Sequence, residues 1–156
     1  MDKLHKLHAG NMEIAVAKLI GYRTHVIVPN VSWGLGLRHE ADMLVLDSKN
    51  RLTEIEIKIS KADLKKDLKK RHGHLSSIIS RLVYAVPVDL AELANILFPK
   101  HGLIVVSYNT YMEEYEAKWV KKCRYHNNVK LGQELIEKLM HLGCMRIWSL
   151  KERLYL

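Results

Sequence analysis

Thr53-Glu54-Ile55-Glu56-Ile57-Lys58-Ile59, TEIEIKI, alternates polar and apolar residues without a miss. Successive side chains of an extended strand point to opposite faces. Ile55, Ile57 and Ile59 therefore share one face, and Glu54, Glu56 and Lys58 share the other. A half-buried surface strand gives the same pattern, with its charges in water. A reaction site gives it too, and the residues folded around the strand decide between the two.

Working outward, Ala41–Leu46 (ADMLVL) is a mostly apolar strand, and Asp47-Ser48-Lys49-Asn50 is a turn. The two strands are expected to form an antiparallel hairpin. Counting away from the turn places Asp42 across from residues 55–57. Downstream, 61–71 has helical composition, with Leu64 and Leu68 at i, i+4, and Gly73 interrupts it. Residues 75–81 are expected to resume a helix. Strand 82–86 (LVYAV) stops at Pro87, a helix covers 89–97, and 103–106 is another buried strand. Upstream, a helix is expected over 4–21, with Gly10 as a breaker of its first turn. A strand follows at 24–28, ended by Pro29, and then a loop over 31–38. A strand at 115–122, a helix at 130–142 and a short helix at 147–154 close the chain. The order α-β-β-β-α-β-α-β predicts an α/β fold, a mixed central sheet flanked by helices.

The chain has 156 residues, enough for one domain with a sizeable core. Its 25 lysines and arginines against 17 acids leave a net charge of +8, which favours a polyanionic partner such as nucleic acid. Cys123 and Cys144 lie in no metal-binding spacing and read as reduced thiols. No apolar run approaches the ~18 residues of a membrane span. The first residues lack the apolar stretch of a signal peptide. A cytoplasmic protein with no membrane contact is the expectation.

The hairpin register brings Asp42 beside Glu56. Two carboxylates pressed together repel unless a cation lies between them. A hard divalent ion such as Mg²⁺ takes a few carboxylates together with waters and phosphate oxygens. Lys58, two residues from Glu56 on the same face, could orient or deprotonate a water, or offset charge developing on a phosphate.

The pattern Asp42…Glu56-Ile57-Lys58 resembles the D…(D/E)xK motif of the PD-(D/E)XK nuclease superfamily, and the element order resembles that superfamily's restriction-endonuclease-like α-β-β-β-α-β core. Ala41 stands where the nominal proline would be. The wider text HEADMLVLDSKNRLTEIEIKISKADLKKD (39–67), with LVYAVP (82–87) and GLIVVS (102–107), resembles the MmcB-like DNA-repair branch and related short phage or bacterial proteins. Ser80-Arg81 departs from that branch. The resemblance covers about residues 10–108 and leaves 109–156 as a C-terminal extension of the same domain, with an extra strand and helices. It implies a metal-dependent nuclease that hydrolyses phosphodiester bonds in repair or processing, with DNA favoured over RNA as the substrate. Asp42 and Glu56 would ligate Mg²⁺ (or Mn²⁺) with the Ile57 carbonyl, and Lys58 would position the attacking water. A first-helix glutamate often supports such sites. Glu13 is the candidate here, and it reads equally as a solvated helix residue. A homodimer is implied in the same way, because many such nucleases pair to cut both strands.

The candidate nucleic-acid contacts follow. Lys61, Lys65, Lys66, Lys69, Lys70 and Arg71 crowd this segment as phosphate contacts, and Lys61, Lys65 and Lys69, recurring at i+4, form one basic ridge beside the motif. The alternative is a solvated face softened by Asp63 and Asp67. Trp33, in the glycine-containing loop, could stack on a base or cap the core. His72 or His74 reads as a phosphate contact at the rim. A zinc site would need two more ligands, and Cys123 with His126 are the only suitably spaced pair. Glu54 reads as exposed, and Glu40 reaches the site only if the strand begins early or bulges. Trp119 and Trp148 read as core or an interface. Leu131, Leu135, Leu139 and Leu142 form an apolar helix face, for this chain's own sheet or for a partner. A non-catalytic nucleic-acid-binding module on the same fold is the alternative function. The intact Asp42, Glu56 and Lys58 argue against it.

Overall fold

The computed structural model describes residues 7–70 and 76–156. Six strands form one sheet in sequential order: β1 (Val26–Val31), β2 (Ala41–Leu46), β3 (Leu52–Ile57), β4 (Ile79–Pro87), β5 (Gly102–Asn109) and β6 (Glu114–Lys121). The first three pair antiparallel, β3–β4 and β4–β5 are parallel, and β5–β6 is an antiparallel hairpin. The parallel steps need crossovers, which α2 (Lys61–Asp67) and α3 (Ala91–Leu97) supply. The α/β class and the mixed, helix-flanked sheet are therefore as the sequence predicts.

Helix α1 (Ala9–Ile20) buries Met12, Ala15 and Val16, an i, i+3, i+4 stripe, on one face of the sheet against Met43, Val45, Ile55, Val83, Ala85, Ile104 and Val106. The helix expected from residue 4 starts at Ala9, with residues 7 and 8 outside it and Gly10 in its first turn, while residues 4–6 lie outside the described residues. Gly21, at φ 96°, ends the helix and donates its N–H to the Ala17 carbonyl. The opposite face carries two apolar clusters. In one, Leu64, Ala94 and Phe98 pack on Leu82, Tyr84, Val86 and Leu103. In the other, Leu131, Leu139 and Leu142 pack on Val28, Leu44, Leu46, Leu52 and Ile79.

Further expectations change. β1 runs through Pro29 to Val31. It is an edge strand, where the missing proline N–H removes no ladder bond. Residues 79–81 open strand β4 rather than ending a helix. The basic segment leaves the helix early, since α2 ends at Asp67 and Leu68 is its C-cap. The two expected C-terminal helices are one, α4 (Gln133–Tyr155). Gly143 lies inside it, and a Cβ there would come within 3.3 Å of Val28 Cγ2, so the glycine permits close approach of helix to sheet. Leu131, Leu139 and Leu142 are buried on this chain's own sheet, which assigns that face. No helix among the described residues is long and apolar enough to cross a membrane.

Candidate active site

The Asp47–Asn50 turn sets the site's register. Asp47 Oδ1 accepts from the N–H groups of Lys49 (2.8 Å) and Arg51 (3.0 Å), and Asn50 takes φ 60°. Met43 is thereby paired with Ile55 and Leu44 with Glu54, so the next position out brings Asp42 level with Glu56. Asp42 Oδ2 accepts the Ile57 N–H at 2.8 Å. The Lys58 N–H continues the ladder to the Ala85 carbonyl, 3.0 Å away, which fixes its backbone just past the end of β3.

TEIEIKI is not a half-solvated strand. Glu54 is 0% exposed and Glu56 1%. Both lie in the seam between the two apolar clusters on the α2, α3 and α4 side, where Glu54 pairs with Leu82 and Glu56 with Tyr84 across the parallel ladder. The expected exposure of Glu54 is therefore corrected. Its Oε1 lies 2.5 Å from His39 Nε2. Ile59, expected on the apolar face, is exposed instead, because the strand ends at Ile57.

Lys58 Nζ lies 2.5 Å from Glu56 Oε2, 3.2 Å from Asp67 Oδ1 and 4.0 Å from Asp42 Oδ2. Burial works against its charge. Glu56, by its field and its hydrogen bond, then Asp67 and Asp42 outweigh burial and hold the ammonium well above the ordinary lysine range. Lys70 Nζ lies 2.7 Å from Asp67 Oδ1 and 3.7 Å from Glu56 Oε2. The Tyr84 hydroxyl donates to Asp67 Oδ2 at 2.6 Å. Burial first, and then that bond to Asp67, push the phenol far above its usual value.

The structure thus brings Asp42, Glu56 and Lys58 together, with the Ile57 backbone beside them. Burial and the charge of Asp42 raise Glu13 above the ordinary glutamate range, opposed by a hydrogen bond with Asn30, so the first-helix glutamate lies within electrostatic reach of Asp42. Glu40 is exposed. Lys61, Lys65 and Lys69 are exposed on and just past α2. Arg71, His72 and His74 lie outside the described residues. Trp33 is 57% exposed and borders a groove with Glu134 and Glu137 of α4. Trp119 is partly buried and Trp148 exposed. His126 Nε2 lies 2.8 Å from the Ile79 carbonyl, and Cys123 Sγ lies 3.4 Å from the Leu82 carbonyl. Both are hydrogen-bonded to β4.

Sequence reasoning missed His39, Asp67, Lys70 and Tyr84 as partners in this centre. Asp67 had a signal. It follows Leu64 by three residues and so occupies the inward stripe of α2, while Leu68, the expected member of that stripe, is 51% exposed. Tyr84 sits in a strand buried on both faces, where a hydroxyl needs a partner. His39 carries no local signal.

The donor atoms of His39, Glu54 and Glu56 lie within 4.8 Å of one another, and no other group of three such residues is this close among the described residues. With Asp42 next to Glu56, the centre offers mainly hard oxygen donors and one imidazole. That chemistry suits a divalent cation.

A model of the family described as DNA repair protein MmcB-like matches residues 5–152. Among solved structures, a protein of unknown function from Silicibacter pomeroyi is similar in fold, with a TM-score of 0.71 at 22% identity, over 98% of this chain and 97% of that one. No curated protein matches the chain.

Proposed function

The chain belongs to the MmcB-like DNA-repair family, and from that premise we propose that it is a metal-dependent nuclease that hydrolyses phosphodiester bonds of DNA. The observation that carries the reading is the position of Lys58, whose ammonium lies among the carboxylates of Glu56, Asp67 and Asp42 at one strand end. A buried centre with this many carboxylates is costly unless cations hold it together. It has the potential to recruit a further cation when a phosphate arrives.

Asp42 and Glu56, with the Ile57 carbonyl, would hold Mg²⁺ or Mn²⁺. Bound there, such an ion polarises a phosphoryl oxygen and acidifies water. The side chains divide the remaining work. Lys58 stays protonated at neutral pH, so it acts as a hydrogen-bond donor and not as a base. It orients the attacking water and offsets the negative charge that grows on the phosphate. Asp67 holds Lys58 from the other side and is itself held by Tyr84 and Lys70. These contacts fix the ammonium's direction before substrate binds. Glu13 adds negative charge next to Asp42, which strengthens attraction for a cation.

Cleavage of plasmid and labelled oligonucleotides with Mg²⁺ or Mn²⁺ tests the reading. Wild type is expected to cut, and Glu56→Ala and Lys58→Ala to bind without cutting. Equal behaviour of wild type and both variants would favour the non-catalytic binding module. Calorimetry of Mg²⁺ binding to wild type and Asp42→Ala tests the ligand assignment separately.

A further inference from the structure

A large cleft lies outside the carboxylate centre. Its volume is about 810 Å³. Three permanent cations reach it from three distant segments: Arg38 from the β1–β2 loop, Lys100 from the turn before β5, and Arg124 from the segment after β6. His101 and Ser77 line it as well, and no carboxylate among the described residues does.

What sets these three apart is that they line one concavity. Lys18, Arg51, Lys58, Lys70 and Lys138 each pair with an acid. Arg38, Lys100 and Arg124 are exposed, and none of them pairs with a carboxylate among the described residues. Cations gathered round a concavity without counter-charges create a positive potential focused on its interior. The matching ligand is a polyanion.

The cleft adjoins the carboxylate centre. Arg38 precedes His39, whose ring contacts Glu54. Leu82, in the cleft wall, pairs with Glu54 across the ladder. The His101 ring lies 5.8 Å from that of Tyr84, which holds Asp67. From the level of Glu54 to Lys58 is four strand residues, roughly 13 Å. At about 3.4 Å per nucleotide that is on the order of four nucleotides.

The cleft's volume equals that of a cube about 9 Å on an edge, room for one backbone strand with its bases splayed out. One strand fits, with its phosphates on the cations. We propose that this cleft seats a single-stranded segment of nucleic acid, held by its phosphates on Arg38, Lys100 and Arg124, a few nucleotides from the position of hydrolysis. The inference rests on the nuclease reading for the position of the cut; the binding of single strand does not.

The test is fluorescence anisotropy of a labelled oligo-dT and of a blunt duplex, with the full chain in EDTA, as a function of salt. Wild type is expected to bind the single strand more tightly than the duplex. The Arg38→Glu/Lys100→Glu/Arg124→Glu variant should lose at least tenfold in single-strand affinity. Each single glutamine variant should lower the slope of log K against log salt by about 0.7 per cation removed. These single changes at exposed positions keep the test decisive if the triple variant fails to fold. Unchanged affinity and slope in the glutamine variants would overturn the proposal, and so would a preference for duplex. Lys58→Ala should keep single-strand binding. If wild type cuts nothing while the cleft variants lose binding, the cleft stands and the nuclease reading falls. If cutting is normal in those variants and binding is unchanged, the cleft falls alone.

Discussion

The Lys58 ammonium and the Glu56 carboxylate lie 2.5 Å apart at the end of β3, and both residues are buried. Breaking a buried pair by removing one partner leaves the other charge uncompensated, at a cost of about 3–5 kcal/mol. Lys70, 3.7 Å from the same Glu56 oxygen, places Lys58→Met toward the lower end of that range. If the centre takes a divalent ion, Mg²⁺ should restabilise Lys58→Met by more than it stabilises wild type. Scanning calorimetry with and without Mg²⁺ reads both effects. If the chain is the nuclease proposed above, its cleavage should fall by roughly 10²–10³, the usual loss on removing one electrostatic donor from a reaction centre.

The same pairing fixes an alkaline pH dependence. Burial disfavours the Lys58 charge, but Glu56, Asp67 and Asp42 together raise its affinity for the proton above the ordinary value of 10.5. A group raised in the fold gives stability that is fully present below its unfolded pKa and lost as pH rises through the folded one. Tyr84, raised from 10.0 by burial and by Asp67, acts with the same sign. Wild type should therefore keep its urea midpoint up to about pH 9.5 and lose stability steadily above about pH 10. In Lys58→Met the alkaline slope should be shallower. Identical slopes would contradict the contact.

Glu13 carries the opposite message for neutral pH. Its pKa is raised by burial and by Asp42, against the pull of Asn30. The stability it contributes is present below the ordinary value of 4.5 and lost as pH rises through the folded value. Glu13→Gln should therefore stabilise the metal-free protein at about pH 7 and change little at about pH 4. It should also weaken Mg²⁺ binding. Thermal melts at the two pH values, combined with a Mg²⁺ titration, separate this role from that of a solvated helix residue, for which neither quantity moves.

Local signals carry the hairpin. Period-two alternation and the Asp47–Asn50 turn chemistry fix which residue of β2 faces which residue of β3, so Asp42, Glu56 and Lys58 are legible as neighbours from sequence alone. Non-local packing hides the rest. Alternation alone cannot show whether the polar face of TEIEIKI meets water, because the apolar clusters that enclose Glu54 and Glu56 come from α2, α3 and α4. Pro29 reads as a stop because edge position is a property of the whole sheet. Gly143 falls in the expected gap between two helices, and its neighbour Val28 lies far earlier in the chain, where no local pattern reaches.

Tyr84→Phe isolates the support behind Lys58. The hydroxyl donates to Asp67 at 2.6 Å, and both groups are buried. Its removal leaves Asp67 with one donor fewer, at a cost of about 1–3 kcal/mol. At this chain length that corresponds to a Tm lowered by roughly 2–12 °C. If Asp67 directs Lys58, the catalytic rate falls while oligonucleotide affinity holds. A Tm change without a rate change would confine Tyr84 to stability.

The two halves of α4 should respond differently to truncation. Leu139 is 0% exposed and lies in the cluster with Val28, Leu44 and Leu52, whereas Trp148, further along the same helix, is 65% exposed. Leu139→Ala removes buried methyl groups and leaves a cavity, at a cost of about 2–5 kcal/mol. Trp148→Ala touches no such cluster and should fall within about 0.5 kcal/mol of wild type. Urea denaturation of the two variants measures this directly. Equal destabilisation by both changes would mean that the outer half of α4 is covered in solution, and a sedimentation run on wild type would then identify whether a second copy covers it.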